Sequence, residues 1–152
     1  MTILYRLAYL IRSFIWSITK PVTVGVKLLL VKDHSILLVR HTYQRELYLP
    51  GGGVNKGETL EQTARREALE ELGAVLGKLT LFGVYTNFSE GRSDHIVVFT
   101  CNDFSFSGET DPEIESFGFV DVEGLPQDVS SGSKRRIEEL REGLKPPRVG
   151  IW

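Results

Sequence analysis

Three carboxylates raise the first chemical question. Glu67, Glu70 and Glu71 stand at i, i+3 and i+4, a spacing that brings all three to one face of a helix. Like charges so placed destabilise a bare helix by about 0.2–0.5 kcal/mol per pair. They also fall toward the helix C-terminus, where the dipole disfavours anions. Local stability does not explain them; a bound cation does. Oxygen ligands without His or Cys suit Mg²⁺ or Mn²⁺ rather than Zn²⁺. Mg²⁺ keeps waters and is completed by substrate phosphates, so the chemistry suggested is phosphate chemistry. On three glutamates alone, an acidic solvated face neutralised by Arg65 and Arg66 is the plainer reading. Their surroundings decide between the two.

The elements that must position these groups follow from pattern. Thr59 to Leu72 reads as a helix, opened by a Thr59-x-x-Gln62 capping box and stopped at Gly73. Leu60, Ala64, Ala68 and Leu72 form its buried stripe, and the carboxylates adjoin that stripe at the rim of the core. Pro50 and Gly51 to Gly53 ahead of it must be a loop. Upstream, VTVGVKLLLV and ILLVR flank a turn at residues 32–35 and read as a hairpin. Leu47 to Leu49 is a short extended piece. Downstream, Leu79 to Asn87 and His95 to Asn102 are strands around a turn at 88–94. Phe117 to Val120 is a further strand, and Ser133 to Glu142 a final amphipathic helix. Intermixed helices and strands with one antiparallel hairpin predict an α+β mixed sheet with helices on both faces.

The stretch GGVNKGETLEQTARREALEELGA, Gly52 to Ala74, resembles the signature of the Nudix hydrolases, which cleave nucleoside diphosphates linked to another moiety. The pattern is a glycine, five residues, a glutamate, seven residues, then Arg-Glu-aliphatic-x-Glu-Glu-x-Gly-aliphatic. Gly52, Glu58, Arg66, Glu67, Glu70, Glu71 and Gly73 all fall in place, while Ala68 and Ala74 stand where a bulkier aliphatic is usual. The resemblance implies a Nudix-like α/β/α sandwich and an Mg²⁺ (or Mn²⁺) site formed by Glu67, Glu70, Glu71 and the Gly52 carbonyl. It implies that Glu58 supports the metal cluster and that Arg66 holds the carboxylates in place. Gly51, Gly52 and Gly53 would let the backbone approach metal and phosphate. The reaction implied is attack by a metal-activated water on a phosphorus of the diphosphate. The general base is either a box glutamate or a loop acid; of Glu109, Glu113 and Glu115, Glu113 best matches the family's acidic residue ahead of an aromatic strand. Arg40 or Arg45, between the second strand and the glycine loop, is expected to contact substrate phosphate. No proline lies between Pro50 and Pro112, as an ADP-ribose-type member would carry, and Tyr85 comes too early for a dinucleoside polyphosphate type. A nucleoside triphosphate or other nucleoside-diphosphate derivative is left as substrate.

The rest of the chain excludes more than it adds. At 152 residues with 41% hydrophobic and 25% charged residues, it has an ordinary soluble composition and one domain's length. The three histidines lack zinc-ligand spacing, no Walker lysine follows the glycines, and Cys101 is alone. Five basic residues and no acid precede Asp33, whereas the remaining 13 Lys and Arg face all 20 Asp and Glu. That acidic body argues against stable binding of a nucleic-acid duplex. Residues 1–20 read as an apolar, basic amphipathic helix ahead of a domain at 21–152. It either packs on the body or a second subunit, making a homodimer, or lies at a membrane surface. The expected location is cytoplasmic, with the inner membrane surface as the alternative. Two other functions stay open: a non-catalytic nucleotide sensor on the same fold, and a membrane-surface hydrolase of a nucleotide sugar or lipid-linked diphosphate.

Overall fold

A computed structural model describes residues 22–89 and 92–152. The amphipathic helix expected over residues 1–20 lies outside the described residues. The elements in order are β1 (Val22–Lys32), β2 (Ser35–His41), α1 (Leu60–Leu72), β3 (Ala74–Leu76), β4 (Thr80–Ser89), β5 (Arg92–Cys101), β6 (Phe104–Phe106), β7 (Ile114–Asp121), α2 (Ser131–Arg141) and β8 (Arg148–Ile151).

Six strands form one sheet in the order β7-β2-β1-β5-β4-β8, and β3 pairs with β6 in a separate ribbon. β1 runs parallel to β5 and β4 parallel to β8, while β1–β2, β2–β7 and β4–β5 are antiparallel. Strand alternation sends successive residues of β1 to opposite faces. Val26, Leu28 and Leu30 pack with Ala64, Ala68 and Leu72 of α1 in one core cluster. Leu29 belongs to the other cluster, with Ile137 of α2. The fold is therefore α+β, a mixed sheet with a helix on each face.

The expected hairpin, α1 and the β4–β5 pair are present. α2 starts at Ser131, two residues earlier than the pattern suggested, because Ser130 caps it by accepting from the Ser133 N–H. β3, β6 and β8 span three or four residues each, too short for periodicity to show.

One departure from regular pairing builds the site. β1 and β2 pair only beside their turn, at Val31↔Ile36 and Lys32↔Ser35, and then part. The glycine segment takes over the vacated edge of β1: the Leu28 N–H donates to Pro50 O, the Val26 N–H to Gly52 O, and the Val54 N–H to Val24 O, at 2.9–3.0 Å. β2 meanwhile pairs with β7 along its whole length. The segment expected as a loop is thus bonded to β1 like a short strand.

Candidate active site

α1 delivers its acids with local precision set by its ends. Thr59 accepts from the Gln62 N–H at 3.2 Å, and Gln62 Oε1 accepts from the Thr59 N–H at 2.8 Å. Gly73 closes the helix in the left-handed region (φ 61°), where its missing Cβ would lie 2.4 Å from Gly108 O. Ser107 and Gly108 donate to Gly73 O, and the Asp111 N–H donates to Glu70 O at 2.9 Å. The loop that carries Glu113 is thereby tied to the end of α1.

Arg66 organises the outer acids. Its Nε donates to Glu58 Oε1 at 2.6 Å, one Nη donates to Glu67 at 2.6 Å and to Glu70 at 3.0 Å, and the other reaches Gly53 O and Glu58 Oε2. The Glu58 carboxyl is held down at about 2, chiefly by Arg66 and further by the Asn55 N–H and Thr63 hydroxyl. Burial pushes the Glu67 carboxyl up, with help from Glu71 and Glu70 and against Arg66. Glu71 is almost fully enclosed. Burial opposes its charge, yet His41, Lys27 and the Gly51 N–H together hold its carboxyl below the usual value. Gly51 N–H donates to Glu71 Oε2 at 2.7 Å, and His41 Nε2 lies 3.1 Å from Oε1. Lys27 donates to Gly51 O at 2.5 Å; burial draws its ammonium pKa down, against the pull of Glu71, Glu67 and Asp94.

Lys27, His41, Gly51, Glu67, Glu70 and Glu71 wall a cleft of about 600 Å³ that also reaches Tyr48, Asn87, Ile96, Ile114 and Trp152. Six carboxylates line it (Glu67, Glu70, Glu71, Asp94, Asp111, Glu113), against the cations of Lys27 and Arg92. A surplus of hard oxygen donors of this kind fits a divalent cation of the Mg²⁺ class and would repel a phosphate chain arriving alone. Among the described residues no three acids or imidazoles converge closely enough to cage an ion by themselves. Mg²⁺ does not require such a cage, since waters and phosphate oxygens complete its shell.

A family model described as the NUDIX domain matches residues 19–140. The chain belongs to the Nudix family. It is 29% identical over 109 residues to an ADP-ribose pyrophosphatase of Methanocaldococcus jannaschii, an overlap covering 68% of this chain and 64% of that protein. This chain therefore spans just under two thirds of the curated relative's length. Among solved structures, a MutT Nudix hydrolase from Burkholderia pseudomallei superposes with a TM-score of 0.72 at 28% identity, covering 79% of this chain and 98% of that one. A Nudix hydrolase from Nitrosomonas europaea shares the fold at 23% identity and a TM-score of 0.74, with 84% and 93% covered.

Within this Nudix fold, Gly51, Gly52, Gly53, Glu67, Glu70, Glu71 and Glu113 line one cleft, and Glu58, just ahead of α1, and Arg66, midway along it, brace it. Glu109 and Glu115 do not line it. Arg40 and Arg45 are not brought there either: the Arg40 guanidinium pairs with Asp128 at 2.5 Å and bonds the Arg45 carbonyl. Ala68 and Ala74, smaller than the family's usual residues, are both buried in the α1-side core. Sequence reasoning passed over Lys27 and underused His41. The signal for Lys27 was a charge inside the apolar run VTVGVKLLLV, where a strand with two covered faces has no solvent side to offer.

Proposed function

We propose that this protein is a Mg²⁺-dependent hydrolase that splits a diphosphate linkage in a nucleoside triphosphate or another nucleoside-diphosphate derivative. The supporting observation is the convergence of the box glutamates, the glycine segment and the Glu113 loop on one acid-rich cleft. A divalent cation held by Glu67, Glu70, Glu71 and the Gly52 carbonyl would supply Lewis-acid relief of the diphosphate charge and a more acidic water. The chain's own groups do the remainder. Glu113 is the candidate to take the attacking water's proton at its carboxylate, tethered by its N–H to Asp111 Oδ1 at 2.7 Å and by its carbonyl to the Thr42 N–H. Glu58 and Arg66 hold Glu67 and Glu70 in register. His41 and the Gly51 N–H fix Glu71. Lys27 ties the glycine segment to β1 and places a positive charge among the acids. With Arg40 committed to Asp128, Arg45 remains the other arginine offered for phosphate. It would have to move into the cleft on binding.

ADP-ribose is a second substrate reading, favoured by the likeness to the archaeal protein of that name. The sensor reading is disfavoured because every acid of the box is intact. The test is release of phosphate or pyrophosphate from nucleoside triphosphates, and of nucleoside monophosphate from ADP-ribose and nucleotide sugars. It is run with Mg²⁺, with EDTA, and with Glu70→Gln and Glu71→Gln. Metal-dependent release lost in both variants is expected. Metal-dependent nucleotide binding with no release above the variants would establish the sensor instead.

A further inference from the structure

We propose that Trp152 is the nucleobase platform of the cleft. The phosphate end of this inference rests on the hydrolase reading above, and the base end stands on separate geometry. β8 lies parallel to β4 with Thr86 opposite Ile151, and the ladder runs one step further, the Trp152 N–H donating to Thr86 O at 2.9 Å. Trp152 is thereby set beside Asn87, and both line the cleft.

The indole is braced from behind. A Cβ at Gly132 would lie 2.0 Å from its Nε1, so the ring rests directly on the first turn of α2. Tyr85 meets it edge-on at 6.2 Å and 64°, and the Arg136 guanidinium stands 5.6 Å from the ring. Arg136, buried, lies 3.7 Å over Tyr85 and bonds Ile151 O at 3.0 Å and Glu139 at 2.9 Å; Tyr85 donates to Glu139 at 2.7 Å. Trp152 is nevertheless only half-buried. A side chain fixed on this many sides that also lines the cleft offers a rigid ring at little entropic cost.

Its position suits a base and not a phosphate. From β8 to β1, where the glycine segment is bonded, the sheet order crosses β4 and β5, three strand spacings or roughly 14 Å. A nucleoside can therefore lie on the indole while its phosphates reach the acids and Lys27. Any base presents a π face to an indole, and an amide such as that of Asn87 can both donate to and accept from a base edge. The cleft's tyrosine rings, Tyr43 and Tyr48, stand 5.3 and 6.2 Å from His41, the partner of Glu71, and so belong to the acid end of the cleft.

The chain has two tryptophans, so Trp16→Phe leaves Trp152 as its single indole. In that background, an α,β-methylene nucleoside triphosphate with Mg²⁺ should quench the fluorescence, while inorganic tripolyphosphate with Mg²⁺ should not. Trp152→Ala should raise KM for a nucleotide about tenfold or more with kcat unchanged, and Trp152→Phe should recover most of the loss. Equal quenching by tripolyphosphate, or an unaltered KM in Trp152→Ala, overturns the proposal. Should Trp152→Ala fail to fold, the quenching comparison decides alone. Base-dependent quenching without turnover would keep the platform and remove the hydrolase reading; turnover without base-dependent quenching would do the reverse.

Discussion

Adding one methyl group at Gly52 should separate catalysis from stability. A Cβ built there would stand 2.5 Å from Glu67 Oε1, 2.6 Å from its carboxyl carbon and 2.7 Å from Oε2. Ordinary contact begins near 3.4 Å, so the Glu67 carboxylate must retreat by about 0.9 Å. The Gly52 backbone is outside the left-handed region, so alanine is not strained in itself. What moves is the far end of a side chain, which keeps the backbone in place at the expense of its bond to Arg66, and Gly52→Ala should cost about 1 kcal/mol, a Tm change of roughly 2–4 °C. A catalytic group displaced by about 1 Å costs on the order of 10²-fold in rate, close to 2.7 kcal/mol in the barrier. Gly53→Ala is the matched comparison, since nothing lies within 4 Å of its added methyl. It should lose only a few-fold. The assay is kcat/KM on the substrate found by the release panel, with Tm followed in parallel. Equal losses at both glycines, or full activity in Gly52→Ala, would refute the claim that Glu67 works against the Gly52 backbone.

Three further outcomes follow from the same geometry. The Glu58 carboxyl, brought from 4.5 to about 2 by Arg66, contributes stability that is complete above pH 4.5 and lost as the pH falls toward 2. Tm should therefore drop more steeply across that window in the wild type than in Glu58→Gln, and parallel curves would contradict the pairing. Thr59→Ala removes one half of the capping box and should cost about 1 kcal/mol in urea unfolding, with Thr59→Ser retaining most of it. Ala68→Leu inserts bulk where α1 packs on β1 with no exposed surface at all, and overpacking of about 1–3 kcal/mol should appear as a lower urea midpoint. A neutral result there would mean that the helix can lift off the sheet.

How much of this was legible depended on whether the controlling interactions were local. α1, its capping box, its glycine stop and the spacing of its acids are all set within a turn or two, and each appears as expected. Arg40 shows where sequence distance misleads. It adjoins the glycine segment in the chain, but neighbours on a strand face opposite ways. β2 sends His41 to Glu71 and Arg40 to Asp128, and the pairing with β7 slips at that same step. The histidine was the residue to follow. Lys27 is one of the five basic residues ahead of Asp33, yet its surroundings belong to the acid cluster, because that partnership forms only after residues 27, 51 and 71 meet. Trp152 and Asn87 are brought together by a parallel pairing across more than sixty residues, which no pattern along the chain encodes.

The bonding of the glycine segment to β1 also explains why its length behaves as a fixed dimension. Gly52 is fastened to Val26 at one end. At the other, Glu58 is clasped by Arg66, which reaches back to the Gly53 carbonyl. The interval from Gly52 to Glu58 is thus a closed ring, cross-braced by the Asn55 N–H on Glu58. An inserted or deleted residue would break the ring or shift the segment by one pleat, turning toward the core every group that now faces the cleft. Evolution and engineering alike must take their length changes elsewhere, in stretches such as residues 123–127, which do not line the cleft, and leave this interval as the gauge against which the helix is set.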